Sequence, residues 1–344
     1  MGRNKKSVTK KEAATNKPDD VSTSGELLVP TGSTLLNLAC SDKSSGGYAT
    51  GKMVNVVGDS SAGKTIVILT GLAEMCRLSK FDEYEFDYDD AESALEFDFR
   101  MFGGLEERMN IEYSETIQDV QRNVIKRIET GTPFVYVLDS LDVVSSDEEQ
   151  QLIADNDSSS YRMGKARALH QTFRTITAKM KKTSSLFIVI SQTRDKIGSR
   201  FPMKYRTGER ALEFYSSHVI WLNVAEKLQR GSKVKRQVGI TTRARVTKNR
   251  ITGKSRTVTY PIYPDYGIDD VGSMVDFLVS EGEWTKTKQS VNADDFKFIG
   301  TREKLIAHIE DGDHIDELIS ITEETWKLIE NELSVNKKRP GRFA

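Results

Sequence analysis

Eight residues, Gly58-Asp59-Ser60-Ser61-Ala62-Gly63-Lys64-Thr65, fit the pattern G-x-x-x-x-G-K-[ST] of a phosphate-binding loop. Glycines let consecutive backbone N–H groups turn toward phosphate oxygens, and a following helix adds the positive end of its dipole. In that geometry Lys64 reaches the β- and γ-phosphates of a nucleoside triphosphate and Thr65 holds Mg2+. The apolar run Val135-Tyr136-Val137-Leu138 ends in Asp139, which puts a carboxylate at a strand end to hold the same metal through water. Hydrolysis also needs a group that orients the attacking water. Residues 84–88 read as a strand that leads into Asp89-Asp90-Ala91-Glu92. A carboxylate there can face the γ-phosphate. Glu92 is the candidate, although residue type alone leaves Asp89 and Asp90 open.

A second chemistry lies downstream. Between residues 194 and 256 stand 17 Lys and Arg against four Asp and Glu, in a chain whose net charge is only −1. Such a concentration of positive charge marks a polyanion-binding surface. Within it, Arg194, Lys196, Arg200, Lys204, Arg206 and Arg210 alternate with Ile197, Phe201 and Tyr205. Cations neutralise phosphates and apolar or aromatic side chains stack on bases, so this segment is a candidate nucleic-acid loop. A first loop is expected at residues 147–160. It is acidic and Ser-rich, so Arg162, Lys165 and Arg167 just beyond it are the better DNA candidates there.

The elements that must position these groups follow from apolar periodicity. Candidate strands at 53–57, 84–88, 134–138, 186–190 and 218–222 alternate with helical patterns, which predicts an α/β fold with a mainly parallel central sheet. Residues 239–247 and 256–263 are β-rich without helices between them and predict an antiparallel extension. A helix is expected over 161–182, with Met163, Ala166, Leu169, Phe173, Ile176 and Met180 as its apolar stripe. Helices at 274–279, 302–309 and 315–333 predict a small α-rich C-terminal domain over 269–335. The core then spans 25–268, between polar tails at 1–24 and 336–344 expected to be disordered. No run reaches 18 apolar residues, which excludes a membrane-spanning helix. The basic N-terminus has no apolar region after it, so it is not a secretory signal. Cys40 and Cys76 have no metal-ligand spacing and read as small apolar residues of a reducing cytoplasm.

Several segments, in order, resemble the bacterial RecA recombinases: Gly58 to Thr65, Asp90-Ala91-Glu92-Ser93-Ala94-Leu95 and Val137-Leu138-Asp139-Ser140. Ser191-Gln192-Thr193-Arg194-Asp195-Lys196-Ile197-Gly198 is similar to the family's N-Q-x-R-x-K-I-G, Ala211-Leu212-Glu213-Phe214-Tyr215 to A-L-K-F-Y, and Val246-Thr247-Lys248-Asn249-Arg250 to V-x-K-N-K/R. The likeness runs from about Thr31 to Trp284. Divergence elsewhere makes the chain look like a phage-encoded member.

The resemblance implies a RecA-like ATPase core with ATP and Mg2+ as cofactors. It makes Glu92 the residue that activates water, Phe99 the aromatic on adenine and Gln192 the sensor of the γ-phosphate. It makes Ile197 a side chain inserted between base triplets, and Lys248 and Arg250 cations that reach into a neighbouring subunit's ATP. The implied partners are single- and double-stranded DNA and further copies of the chain in a helical filament. The implied activity is DNA-dependent ATP hydrolysis driving homologous pairing and strand exchange. The segment before Thr31 is too polar for the family's packing helix, so an altered subunit interface is expected. Residues 193–210 carry fewer glycines and more cations than the family's loop, and the final segment is basic where the family's is acidic. Two other readings share the phosphate loop: a ring-forming DNA helicase, and a mediator that turns over little ATP. The first lacks support from the Lys248-Asn249-Arg250 segment, the second from an intact Lys64, Thr65, Glu92 and Asp139.

Overall fold

The computed structural model describes residues 20–22, 24–96, 99–154, 161–195, 204–206 and 208–334. The expectations for residues 1–19 and 335–344 lie outside the described residues. The first ladder pairs β1 (Leu28–Val29) with β2 (Tyr48–Ala49), and helix α1 (Thr34–Ser41) lies between them in the chain.

A large sheet follows. Its strands are β3 (Met53–Gly58), β4 (Glu85–Asp90), β5 (Met109–Glu112), β6 (Phe134–Asp139), β7 (Leu186–Asp195), β8 (Lys204–Arg206), β9 (His218–Arg230), β10 (Arg236–Asn249), β11 (Arg256–Tyr263) and β12 (Gly267–Ile268). They run in the order β12-β11-β10-β9-β3-β7-β6-β4-β5, with β8 paired to the end of β7. From β9 to β5 every pair is parallel. From β9 to β12 every pair is antiparallel, as the sequence predicts.

Central strands are buried on both faces, which is why they read as unbroken apolar runs. On β6, Phe134, Tyr136 and Leu138 enter one core cluster while Val135 and Val137 enter the other. Helices cover both faces. The side with Val135 and Val137 takes α1, α2 (Lys64–Arg77) and the short α3 (Leu105–Arg108), together with the C-terminal helices α8 (Asp270–Ser280), α9 (Arg302–Asp311) and α10 (Ile315–Leu333). The opposite side takes α4 (Ile117–Thr130), α6 (Tyr161–Met180) and α7 (Glu209–Tyr215). Of the stripe expected on α6, Leu169, Phe173, Ile176 and Met180 are buried and Ala166 is exposed.

Three features differ from expectation. Strand β5 forms the sheet edge where no strand was expected. Residues Asp147–Ala154 form helix α5 rather than a loop, with Asp147, Glu148 and Glu149 favourable in its first turn. The C-terminal part holds a three-stranded antiparallel sheet of Thr285–Lys286, Val291–Ala293 and Phe298–Gly300 as well as helices. That part shares a core with the rest. Trp284, Leu305, Leu318 and Trp326 belong to the same cluster as Val54 and Leu69. Asp270, at the start of α8, accepts bonds from Thr34 N (2.7 Å) and Thr34 Oγ1 (2.6 Å) of α1.

Candidate nucleotide and DNA site

The phosphate loop lies where β3 passes into α2. Gly63 is the N-cap of α2 and supplies no side-chain cap, so the first N–H groups of the helix are open to an anion. Gly63 has φ +88°, and a Cβ there would stand 2.4 Å from Ile262 Cδ1. At Gly58 a Cβ would stand 2.6 Å from the carbonyl oxygen of Leu222. Glycine is required at both, and the space it leaves is a cradle of backbone. A cleft of about 660 Å3 opens beside it, lined by Ser61, Gly63, Lys64, Thr65, Met101 and Ile240 among others.

Lys64 is buried, and its Nζ donates to the carbonyl oxygens of Gly58 (3.0 Å) and Asp59 (2.9 Å). Burial pulls its pKa down, against the pull of Asp139, Glu92, Asp142 and Asp59. Thr65 Oγ1 donates to Asp139 Oδ2 at 3.0 Å, and Tyr88 Oη donates to the same oxygen at 2.6 Å. Burial raises the Asp139 pKa, with the two hydroxyls opposing it. A half-buried carboxylate, a threonine hydroxyl and a lysine beside an open helix N-terminus suit a Mg2+–triphosphate in charge and donor type.

Among the three carboxylates that residue type left open, geometry separates the roles. Asp89 accepts from Ser114 N (2.8 Å), Ser114 Oγ (2.6 Å) and Tyr136 Oη (2.6 Å), all on the side away from the loop. Asp90 caps the turn after β4 by accepting from Ala94 N (3.1 Å) and Leu95 N (3.0 Å). Glu92 accepts from Ser140 Oγ and, at 2.7 Å, from Gln192 Nε2. Two candidate residues 100 positions apart in sequence are thereby joined.

Lys248 and Arg250 sit elsewhere. Arg250 N donates to Ser217 O (3.0 Å), and Ser217 N donates to Met53 O (2.7 Å), at the start of β3. The phosphate loop begins at Gly58, at the other end of that strand, about 16 Å away at roughly 3.3 Å per residue. Neither cation reaches its own chain's phosphate loop. Instead Lys248 Nζ donates to Glu213 O, and Arg250 Nη2 donates to Phe214 O (2.9 Å), capping the C-terminus of α7.

The remaining candidates divide. Phe99 packs against the core cluster, with Phe102 at 6.2 Å, and Met101 is the residue of that segment that lines the cleft. Arg194, Arg167 and Arg210 are exposed; Arg194 Nε lies 3.6 Å from Asp142 Oδ1. Lys165 and Arg206 differ from expectation. Lys165 Nζ donates inward to Leu141 O (3.2 Å), and burial lowers its pKa. Arg206 is buried, bonded to Glu213 Oε2 (2.8 Å) with its guanidinium 5.6 Å from the Trp221 ring. Lys196, Ile197, Arg200 and Phe201 lie outside the described residues, and the side chains of Arg162 and Lys204 are likewise not described. Five of the 17 cations counted over residues 194–256 form a second basic surface that the sequence did not single out. Lys227, Arg230, Lys233, Lys235 and Arg236 all stand exposed on the β9–β10 hairpin. Sheet order and loop geometry together define a P-loop nucleotide-binding protein of the α/β class.

Comparison with known proteins narrows that class. The family model "RecA N-terminal domain" matches residues 9–269. The chain is 29% identical over 265 residues to Protein RecA of Bacillus subtilis strain 168, covering 74% of this chain and 72% of that one. Protein RecA of Bacillus velezensis gives the same identity and coverage. Protein RecA of Clostridioides difficile is 28% identical over 269 residues, covering 77% and 74%. This chain belongs to the RecA family.

Proposed function

We propose that this protein is a DNA-dependent ATPase that assembles head to tail on single-stranded DNA, pairs it with a homologous duplex and exchanges strands. The observation that carries the reading is the 2.7 Å bond from Gln192 Nε2 to Glu92 Oε1. Gln192 stands near the end of β7, and the basic segment of residues 194–210 follows it directly. A change at Glu92 therefore moves the start of a candidate DNA-binding segment, as nucleotide-dependent DNA binding requires.

The backbone of residues 58–65 would hold the triphosphate, and Thr65, with Asp139 through water, would hold Mg2+. The bound metal supplies charge stabilisation to the phosphates. Lys64 leaves its two carbonyl acceptors to meet the phosphates. Glu92, freed from Gln192, takes a proton from the attacking water. Lys248 and Arg250, too far from their own phosphate loop, serve the neighbour's, where a cation stabilises developing charge. No helix among the described residues is long and apolar enough to cross a membrane. Cys40 and Cys76 are free thiols, which fits a reducing cytoplasm.

Electron microscopy on single-stranded DNA with a non-hydrolysable ATP analogue tests the reading, alongside phosphate release with and without DNA. Helical filaments and DNA-stimulated hydrolysis are expected. Closed rings would replace it with the helicase reading. Hydrolysis that ignores DNA, or that is unaltered in Glu92→Gln, would replace it with the mediator reading.

A further inference from the structure

Strands β3 and β7 are adjacent and parallel, and their register sets Gly58 opposite Gln192. The next residue on each chain is therefore also a neighbour of the other: Asp59, inside the phosphate loop, and Thr193. Thr193 Oγ1 donates a hydrogen bond to Asp59 Oδ1. Successive side chains of a strand leave opposite faces, so Gln192 and Thr193 point to two different places. Gln192 turns toward Glu92, the carboxylate assigned above to activate water. Thr193 turns toward the phosphate loop.

Asp59 is placed to register what happens in that loop. Its carbonyl oxygen holds Lys64 Nζ at 2.9 Å while its carboxylate holds Thr193. When Lys64 moves onto a phosphate, that carbonyl loses one donor and keeps Ala62 N (3.2 Å), and the peptide carrying the Asp59 carboxylate is released from one of its restraints. A third carboxylate grips the same strand end. Asp142 accepts from Gln192 N at 2.7 Å and lies 3.6 Å from Arg194 Nε. Residues 192, 193 and 194 are thus each held by a carboxylate from a different loop: those after β4, β3 and β6. A shift of this strand end breaks these bonds together, which is how packed elements come to have two discrete arrangements.

We propose that the Thr193–Asp59 bond is a second link between the phosphate loop and the DNA-binding segment, working beside the Gln192–Glu92 bond. Thr193 is then a positioning residue: it touches no substrate and acts through Asp59. The proposal rests on the recombinase reading above, in that it needs nucleotide and DNA sites that respond to each other. It adds that the response has two inputs. One reads the water-activating side and the other reads the loop that carries Lys64.

The test measures the affinity for a labelled oligo(dT) with a non-hydrolysable ATP analogue and again with ADP. The ratio of the two is the coupling. In Thr193→Val the hydroxyl donor is lost at nearly constant shape. The ratio is expected to fall about tenfold, about 1.4 kcal/mol of coupling, the size of a hydrogen bond to a charged acceptor. The ADP-state affinity and the KM for ATP are expected to stay within about twofold. Thr193→Ser, which keeps the donor, is expected to restore the ratio, and Thr193→Ala to lose it as Val does. If Val and Ala both keep the native ratio, or if Ser fails as they do, Thr193 does not couple the sites. A native protein with no difference between the two nucleotide states would instead overturn the parent reading.

Discussion

Mixing two inactive variants distinguishes a shared catalytic site from a self-contained one. The phosphate loop begins at the last residue of β3, whereas Arg250 is hydrogen-bonded through Ser217 to Met53, its first residue. A chain carrying Lys248→Ala and Arg250→Ala keeps its phosphate loop but has no cations to lend. A Lys64→Ala chain has the reverse defect. Each alone is expected to lose at least about 10^3-fold in hydrolysis, the lower end of what a cation supplied in trans contributes to phosphoryl transfer. In an equimolar head-to-tail mixture, a productive junction takes its phosphate loop from one variant and its cations from the other. About one quarter of junctions meet that condition, so about 25% of native activity should return. Phosphate release on single-stranded DNA, followed across mixing ratios at constant total protein, should trace a curve that peaks at equal amounts. Folding is not the limit, since each cation capping α7 contributes only about 0.3–1 kcal/mol. A mixture no more active than the sum of its parts would refute the separation of roles argued from the strand register.

Three further outcomes are expected. Gly63→Ala should destabilise by about 1–2 kcal/mol through its positive φ alone, with an added clash against Ile262 Cδ1. Ile262→Val should offset that clash, so urea unfolding of the double variant should depart from additivity by more than about 0.5 kcal/mol. Burial raises the Asp139 pKa, so the native protein gains stability by keeping that proton at low pH and loses it as pH rises through the raised value. Nucleotide-free Asp139→Asn should therefore become progressively more stable than the native chain as pH rises above about 4, the usual carboxylate value; a pH-independent difference in urea midpoint would contradict this. Arg194→Met should lower the salt dependence of single-stranded DNA binding by about 0.7 in the log–log slope, whereas Arg206→Met should leave that slope in place and lower the unfolding midpoint.

The phosphate loop and the strand leading to Asp139 were legible in the sequence because each is a local pattern: a run of types at fixed spacing, followed by an element of known period. Strands β3, β6 and β7 were legible for the same reason, since burial on both faces leaves unbroken apolar runs. What resisted was non-local or short. Strand β5 spans only Met109–Glu112 at the sheet edge, with Asn110 and Ile111 exposed, and so shows no unbroken apolar run. The C-terminal strands of two or three residues are too short to show alternation. Arg206 has the same residue type as Arg194, and only the fold tells them apart, by giving one Trp221 and Glu213 and leaving the other half in solvent. The Asp59–Thr193 bond depends on which strand lies beside β3, a fact set by the whole sheet.

The placement of the phosphate loop and of Lys248 and Arg250 at opposite ends of one strand has a consequence for counting. On the proposed recombinase reading, in which each of these groups carries half of a shared site, a chain with the two halves at its two poles is directional. Stacked head to tail, such chains form a row whose terminal members differ chemically, one exposing an unserved phosphate loop and the other idle cations. A row of n chains holds n − 1 complete sites. A single chain therefore holds none, and short rows are penalised most: a pair works at half the output per chain of an unlimited row. Turnover becomes a measure of length, and the two ends, alike in sequence, are unlike in what they can do next.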